Sequence, residues 1–481
     1  MANSSEVERI VSELDAFGAL RADLAARAGA APSPAARPVT VRQPPGDAAR
    51  EDAAEAARAE AWLALVIGLE RAARLGPPKL PAHFRRQRAA WDAAADVFGE
   101  ARYARIGARL ARWRAPASPT MPLVTELLWA LEQPEAAGFT RLALVGTTAL
   151  LGLVPTDDVR SGYVLAQSAR AVRTLGDSQG ALERYRISGQ LAQRHRNARL
   201  RDRSTLGTGA TYNYIGNYPA ARRSFLEILN RRASDPVFIA GAHQGMLGAA
   251  VVASDWDTAF AEAWHLLKAR RSGHVDRAEV LTCIADLCYS VGRYRAATRA
   301  AEAAIRIATR PYQTVLALSF LVSVATRTQD VVIGERYSTL LRRHIGGAAG
   351  PYEDARALLC LAEFESVLGS HAAAMRDLAS ARAIAERCGY HEQRFGADRL
   401  EAALTTVSGS GPDRAQVSGS ALSSVVLSAH SHEVIARMDS LGEHELLGIP
   451  ADLSSTGPAG RDRGLSRHGD VWNVRTTEPS A

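Results

Sequence analysis

The feature that most constrains this chain is a short phrase that returns at a nearly fixed interval. It reads LGDSQGA ending on Ala181, IGNYPAA ending on Ala221, SDWDTA ending on Ala259 and VGRYRAA ending on Ala297. Two weaker copies follow, QDVVIG ending on Gly334 and LGSHAAA ending on Ala374. The six small anchors are spaced 40, 38, 38, 37 and 40 residues apart. Each phrase closes one alanine-rich helical pattern and opens the next through a Gly, Asp or Asn turn signal. A period in this range is the signature of stacked helical hairpins, in which each unit buries its apolar face only against its neighbours.

A second regularity surrounds the anchors. A small residue recurs twelve positions before the anchor, and a larger one is expected four positions after it. The sets are Ala169/Ala181/Tyr185, Gly209/Ala221/Phe225, Ala285/Ala297/Ala301, Val322/Gly334/Ser338 and Ala362/Ala374/Leu378. Small residues are needed where two helices cross closely, because a longer side chain there would hold the backbones apart. On these residues the chain resembles the tetratricopeptide-repeat family over 157–407. It departs in having longer units and degenerate third and fifth copies. The resemblance implies an all-α fold, a right-handed α-solenoid of about six antiparallel helix pairs. It also implies a concave surface lined by the first helix of each pair. Carried over unit by unit, the lining positions are Tyr163, Arg170 and Arg173, then Arg203, Asn213 and Tyr214. Gln244, Asp286, Tyr289, Ser323, Arg327 and Glu363 continue the series.

Outside the repeats the composition changes. Residues 5–28 carry an apolar stripe from Val7 to Leu24, which predicts an amphipathic helix within an N-terminal element 1–28. Residues 29–50 hold five prolines and form a linker. Residues 51–156 predict further helices continuous with the solenoid, including a pair over 121–154 that turns near Gln133-Pro134. Residues 408–481 are Gly- and Ser-rich and read as a mostly flexible tail.

The 481 residues are 47% apolar, which suits a folded chain, and the net charge of +7 is too mild for a dedicated nucleic-acid binder. Only two of the 58 basic residues, Lys79 and Lys268, are lysines, so lysine chemistry is nearly excluded. The Arg, Ala and Gly bias matches a high-GC bacterial genome. The four cysteines form no CxxC and read as reduced, buried thiols of a cytoplasmic protein. The apolar run Leu142–Val154 is 13 residues, against about 20 for a membrane span.

No GxSxG, HExxH or Walker lysine is present. The glycines of LGTGAT at 206–211 fall in a repeat helix, where packing explains them. His430, His432, Glu433 and His444 are too loosely placed for a metal site. Residues 20–37 resemble half of a helix-turn-helix, but Pro38 would break the second helix. Arginines ending the second helices (Arg194, Arg231, Arg232, Arg270, Arg271, Arg306, Arg342 and Arg343) read as dipole partners at helix C-termini. The expectation is therefore a non-enzymatic interaction scaffold with no cofactor or metal. Its groove would take a peptide or helix of an acidic protein partner. The alternative is a regulatory sensor, in which a signal peptide or small effector controls an output partner such as a transcriptional regulator.

Overall fold

A computed structural model of the chain describes residues 118–409 apart from 232–233, 270–275 and 348. It also describes a few helical positions between 62 and 109 and two strands, β1 (Arg463–His468) and β2 (Val471–Thr476). The predicted helix 5–28, the linker 29–50, the segment 20–37 and the His430 to His444 group lie outside the described residues.

Six turns in the repeat region share one backbone solution. Each places a residue in the left-handed region (Gly176, Gly216, Ser254, Gly292, Gln329 or Gly369), with φ between 57° and 93°. In four of the six the next residue, Asp177, Asn217, Asp255 or Asp330, accepts the amide of the third residue on, capping the following helix. This is why the phrase reads as Gly then Asp or Asn: one residue reverses the chain and the next satisfies the free amides of the new helix. The degenerate third and fifth copies keep the same geometry with Ser254 and Gln329, although a Cβ there is strained.

The turns join fifteen helices in consecutive antiparallel pairs among the described residues. The first pair is α1 (Met121–Ala136) and α2 (Thr140–Leu151). Six repeat units follow. They are α3 (Val159–Thr174) with α4 (Ser178–Arg194), α5 (Ala198–Tyr214) with α6 (Tyr218–Leu229), and α7 (Pro236–Val252) with α8 (Trp256–Ala269). Then come α9 (Arg277–Ser290) with α10 (Tyr294–Ile307), α11 (Pro311–Thr328) with α12 (Val331–Arg342), and α13 (Pro351–Val367) with α14 (His371–Cys388). The last helix, α15 (His391–Gly409), covers the end of the sixth unit. Beyond it, β1 and β2 pair antiparallel with Arg463 opposite Thr476, a ribbon inside the segment that the composition assigned to a tail.

The crossings are as tight as the small residues require. Ala169, Ala181, Ala221, Ala259, Ala285, Ala297, Ala362 and Ala374 are fully buried. A Cβ on Gly209 would meet the Phe225 ring at 2.6 Å, and one on Gly334 would run into the Phe364 ring of the next unit. The glycines at 207 and 209 are therefore packing residues of α5, as expected. The solenoid is TPR-like in these respects. One boundary differs from expectation: α1 runs through Pro134 and turns at Ala137–Phe139. Proline in the final helical turn forfeits a single backbone bond while its ring packs in the core. Upstream, Trp62, Leu65, Val66, Leu69 and Ile106 share one buried apolar cluster with α1 and α2.

The array also returns to itself. A Cβ on Gly176, in the turn after α3, would meet Cys388 Sγ at 2.5 Å and Pro351 at 3.3 Å, and one on Gly350 would meet Thr174 O at 3.1 Å. The Tyr214 ring lies 4.4 Å from that of Tyr352, and Tyr390 meets both edge-on. Tyr218 OH donates to Glu392 at 2.8 Å. The first two units thus touch the sixth and α15 through side chains and turns, and the concave groove becomes a chamber.

Candidate functional site

The chamber has a volume of about 600 Å³ and is walled by first helices from both ends of the array. Eight of the twelve residues expected to line the groove line it: Tyr163, Arg170, Arg173, Arg203, Asn213, Tyr214, Gln244 and Asp286. The other four, Tyr289, Ser323, Arg327 and Glu363, do not line it. Arg327 Nε donates to Tyr289 OH at 3.3 Å, Glu363 lies close enough to Arg327 to feel its charge, and Ser323 Oγ contacts Cys360 Sγ at 3.2 Å. Burial pushes the Tyr289 phenol up to about 12.

The early wall is basic, but its arginines are not equivalent. Arg170 forks onto Glu135 at 2.7 and 2.9 Å and reaches Glu132 at 2.9 Å, so its charge is answered within the fold. Arg199 is 3.6 Å from Asp235. Arg203 donates to the Gln167 amide oxygen, and Gln167 in turn donates to Glu135 at 2.7 Å. No carboxylate pairs directly with Arg203 among the described residues, and burial followed by the nearby Arg170 charge depresses its pKa. Arg173 lies over the Tyr214 ring at 5.1 Å, and its Nε is buried with no hydrogen-bond partner. Asn213 donates to Gly245 O at 3.0 Å and leaves its own Oδ1 buried and unbonded. Buried polar groups are nearly always bonded, so these two atoms on one wall are open to a further partner.

The opposite wall was only partly visible in the sequence. It adds Asp276, Glu279, Arg310, Tyr312, Glu353, Arg356 and Glu392. Arg356 pairs with Asp286 at 3.2 Å and lies 4.5 Å over the Phe320 ring. Arg310 stands 3.9 Å from Glu132, across the chamber from its own unit. Glu353 is 3% exposed, and burial pushes its carboxyl up to about 8 although Tyr214 OH donates to it at 3.3 Å. Glu279 is also raised by burial, with Asp276 beside it. These residues were missed because the family positions were counted in mid-helix. Extending the stripe two turns back from Asp286, through Cys283 at helical spacing, would have found Glu279.

Of the arginines expected at the outer edge, Arg232, Arg270 and Arg271 lie outside the described residues, and two others form ion pairs. Arg231 pairs with Asp202 and Glu227, and Arg342 bonds Glu365 at 3.0 Å and Asp377 at 2.7 Å. Burial raises the thiols of Cys283 and Cys360, the latter to about 11, so neither is a nucleophile near neutral pH. Among the described residues no cluster of His, Cys, Asp and Glu could hold a metal, and no helix is long and apolar enough to cross a membrane.

No family model matches the chain, and no curated protein matches it. Among solved structures it is similar to a tetratricopeptide repeat protein from Parabacteroides merdae, at 14% identity and a TM-score of 0.39, over 61% of this chain and 98% of that one. It is also similar to a Rap protein solved in complex with competence and sporulation factor. There the identity is 12% and the TM-score 0.46, over 71% of this chain and 100% of that one.

Proposed function

We propose that the protein is a non-enzymatic binding protein that encloses a short, carboxylate-bearing peptide in the chamber. The observation that carries this reading is the charge inventory. Arg173 and Arg203 line one half-open pocket with no direct carboxylate pair among the described residues, beside an unbonded acceptor on Asn213. Arginine forks on rigid helices are pre-ordered for a carboxylate, and an amide acceptor suits a peptide N–H. Size narrows the partner further. An α-helix with side chains is about 10–12 Å across, so about 600 Å³ holds little more than one turn of it. A short extended peptide or small acid fits better, within the range of about 300–1,000 Å³ usual for such pockets.

The test is retention of acidic tetrapeptides from a synthetic library by the full-length protein, read by mass spectrometry. The wild type is expected to retain them, and retention should weaken as salt rises past about 0.15 M, where charges more than about 8 Å apart are screened. Arg173→Gln with Arg203→Gln should abolish retention, while Arg222→Glu with Arg223→Glu on the exposed face of α6 should not. No retention by the wild type, or equal loss from both pairs, defeats the reading.

A second reading is favoured by the closure of the chamber. A ligand seated between the first units and the sixth bears on the contacts that join them. Occupancy and ring state are then coupled, because a ligand shifts the balance by its different affinity for the two states. The protein would act as a sensor whose effector controls an output partner on the outer surface.

A further inference from the structure

The carboxylates of the chamber divide as its arginines do. Glu132 and Asp286 are held by Arg170 and Arg356. Asp276 is occupied by the Glu279 amide, which it caps at 3.2 Å, and by Gln313 Nε2 at 2.8 Å. Glu279, Glu353 and Glu392 form no direct ion pair among the described residues, although the charges of Arg310, Arg173 and Arg356 respectively reach them. Each is supported by neutral donors instead: Tyr312 and Gln244 for Glu279, Tyr214 for Glu353 and Tyr218 for Glu392. Neutral donors hold a carboxylate in place without cancelling its charge. Glutamine would satisfy the same hydroxyls at no cost of burying an acid.

These three groups come from α9, α13 and α15, whereas the unanswered arginines come from α3 and α5. Tyr214 stands between the two sets, with its ring under Arg173 and its hydroxyl on Glu353. A purely anionic ligand would satisfy the arginines but would leave these three carboxyls without a cation at ion-pair distance. A ligand with both signs satisfies both walls.

We propose that the ligand is amphoteric: beside the carboxylate read by Arg173 and Arg203, it carries an amine or guanidine held by Glu279 and Glu353. This rests on the reading that the chamber takes a short peptide. It also predicts a proton exchange. Burial makes both carboxyls keep their protons more readily than usual, and a cation within about 4–6 Å favours the ionised form. Seating the ligand's cation therefore expels a proton.

Four sets of end-blocked tetrapeptides separate the outcomes, each neutral except for one Asp, one Lys, both or neither. With the full-length protein, the set carrying both is expected to be retained at least tenfold better than the Asp set. The Glu279→Gln, Glu353→Gln variant, whose folding is checked by circular dichroism, should erase that preference while keeping the Asp set. Calorimetry on the unmodified protein at pH 7, in two buffers of different ionisation enthalpy, should show proton release for the doubly charged set alone. Equal retention of the Asp and doubly charged sets, or no proton release, overturns the amphoteric assignment and leaves the binding reading standing. Retention of no set overturns both.

Discussion

Tyr214 at the end of α5 and Tyr352 at the start of α13 stand 4.4 Å apart, four repeat units away from each other along the chain. They close the seam that turns an open groove into a chamber. Tyr390 joins them edge-on, and Gly176 and Cys388 meet beside them. Replacing Tyr352 with Ala should cost about 2–4 kcal/mol, since a large aromatic is lost from a cluster with few other members. Hydrogen exchange should rise at residues 174–177 and 350–353 and stay unchanged in α7–α10. Uniform loss of protection would show that the seam is not a separable contact.

Glu353 gives the protein a pH dependence of known sign. Burial lifts its folded pKa to about 8, from an ordinary 4.5. Between those values the folded state holds a proton that the unfolded state lacks. Stability is thus fully present below about 4.5, falls as pH rises and levels off above about 8. The Glu353→Gln variant should gain on the wild type across that window, by on the order of 2–4 kcal/mol at its upper end. Parallel unfolding curves from pH 5 to 8.5 would contradict the burial of this carboxyl.

Ala297 is fully buried where α9 and α10 cross. Ala297→Leu should overpack that crossing and cost about 1–3 kcal/mol in denaturant unfolding. A midpoint shift within error would mean that the crossing can yield.

Gln329 holds φ at 57° in a turn where four of the six units place glycine. The left-handed conformation costs a side-chain residue about 1–2 kcal/mol, and glycine loses about 0.5–1 kcal/mol more entropy on folding. Gln329→Gly should therefore stabilise the fold by up to about 1 kcal/mol. A lower melting temperature would show that the Gln329 side chain makes a compensating contact.

The sequence by itself determined the repeat. Its period, its turn chemistry and its small crossing residues are local signals, and each must be written wherever a helix meets its immediate neighbour. Ala181, Ala221 and Ala297 could be placed from spacing alone, whereas the lining positions from Tyr163 to Asp286 were implied by the family resemblance. The tertiary structure decided what depends on the sum of the units. Small rotations accumulate from one hairpin to the next, and they bring Tyr214 to Tyr352, Tyr218 to Glu392 and Arg310 to Glu132. No period in the chain encodes those meetings. The same accumulation decided which arginines matter. Arg170, Arg173 and Arg203 look alike in sequence, and only the packed wall answers the first with Glu132 and Glu135 while leaving the other two facing the chamber. Charge pairing is set by distances of a few ångströms between helices remote in sequence, and only the folded solenoid fixes those distances.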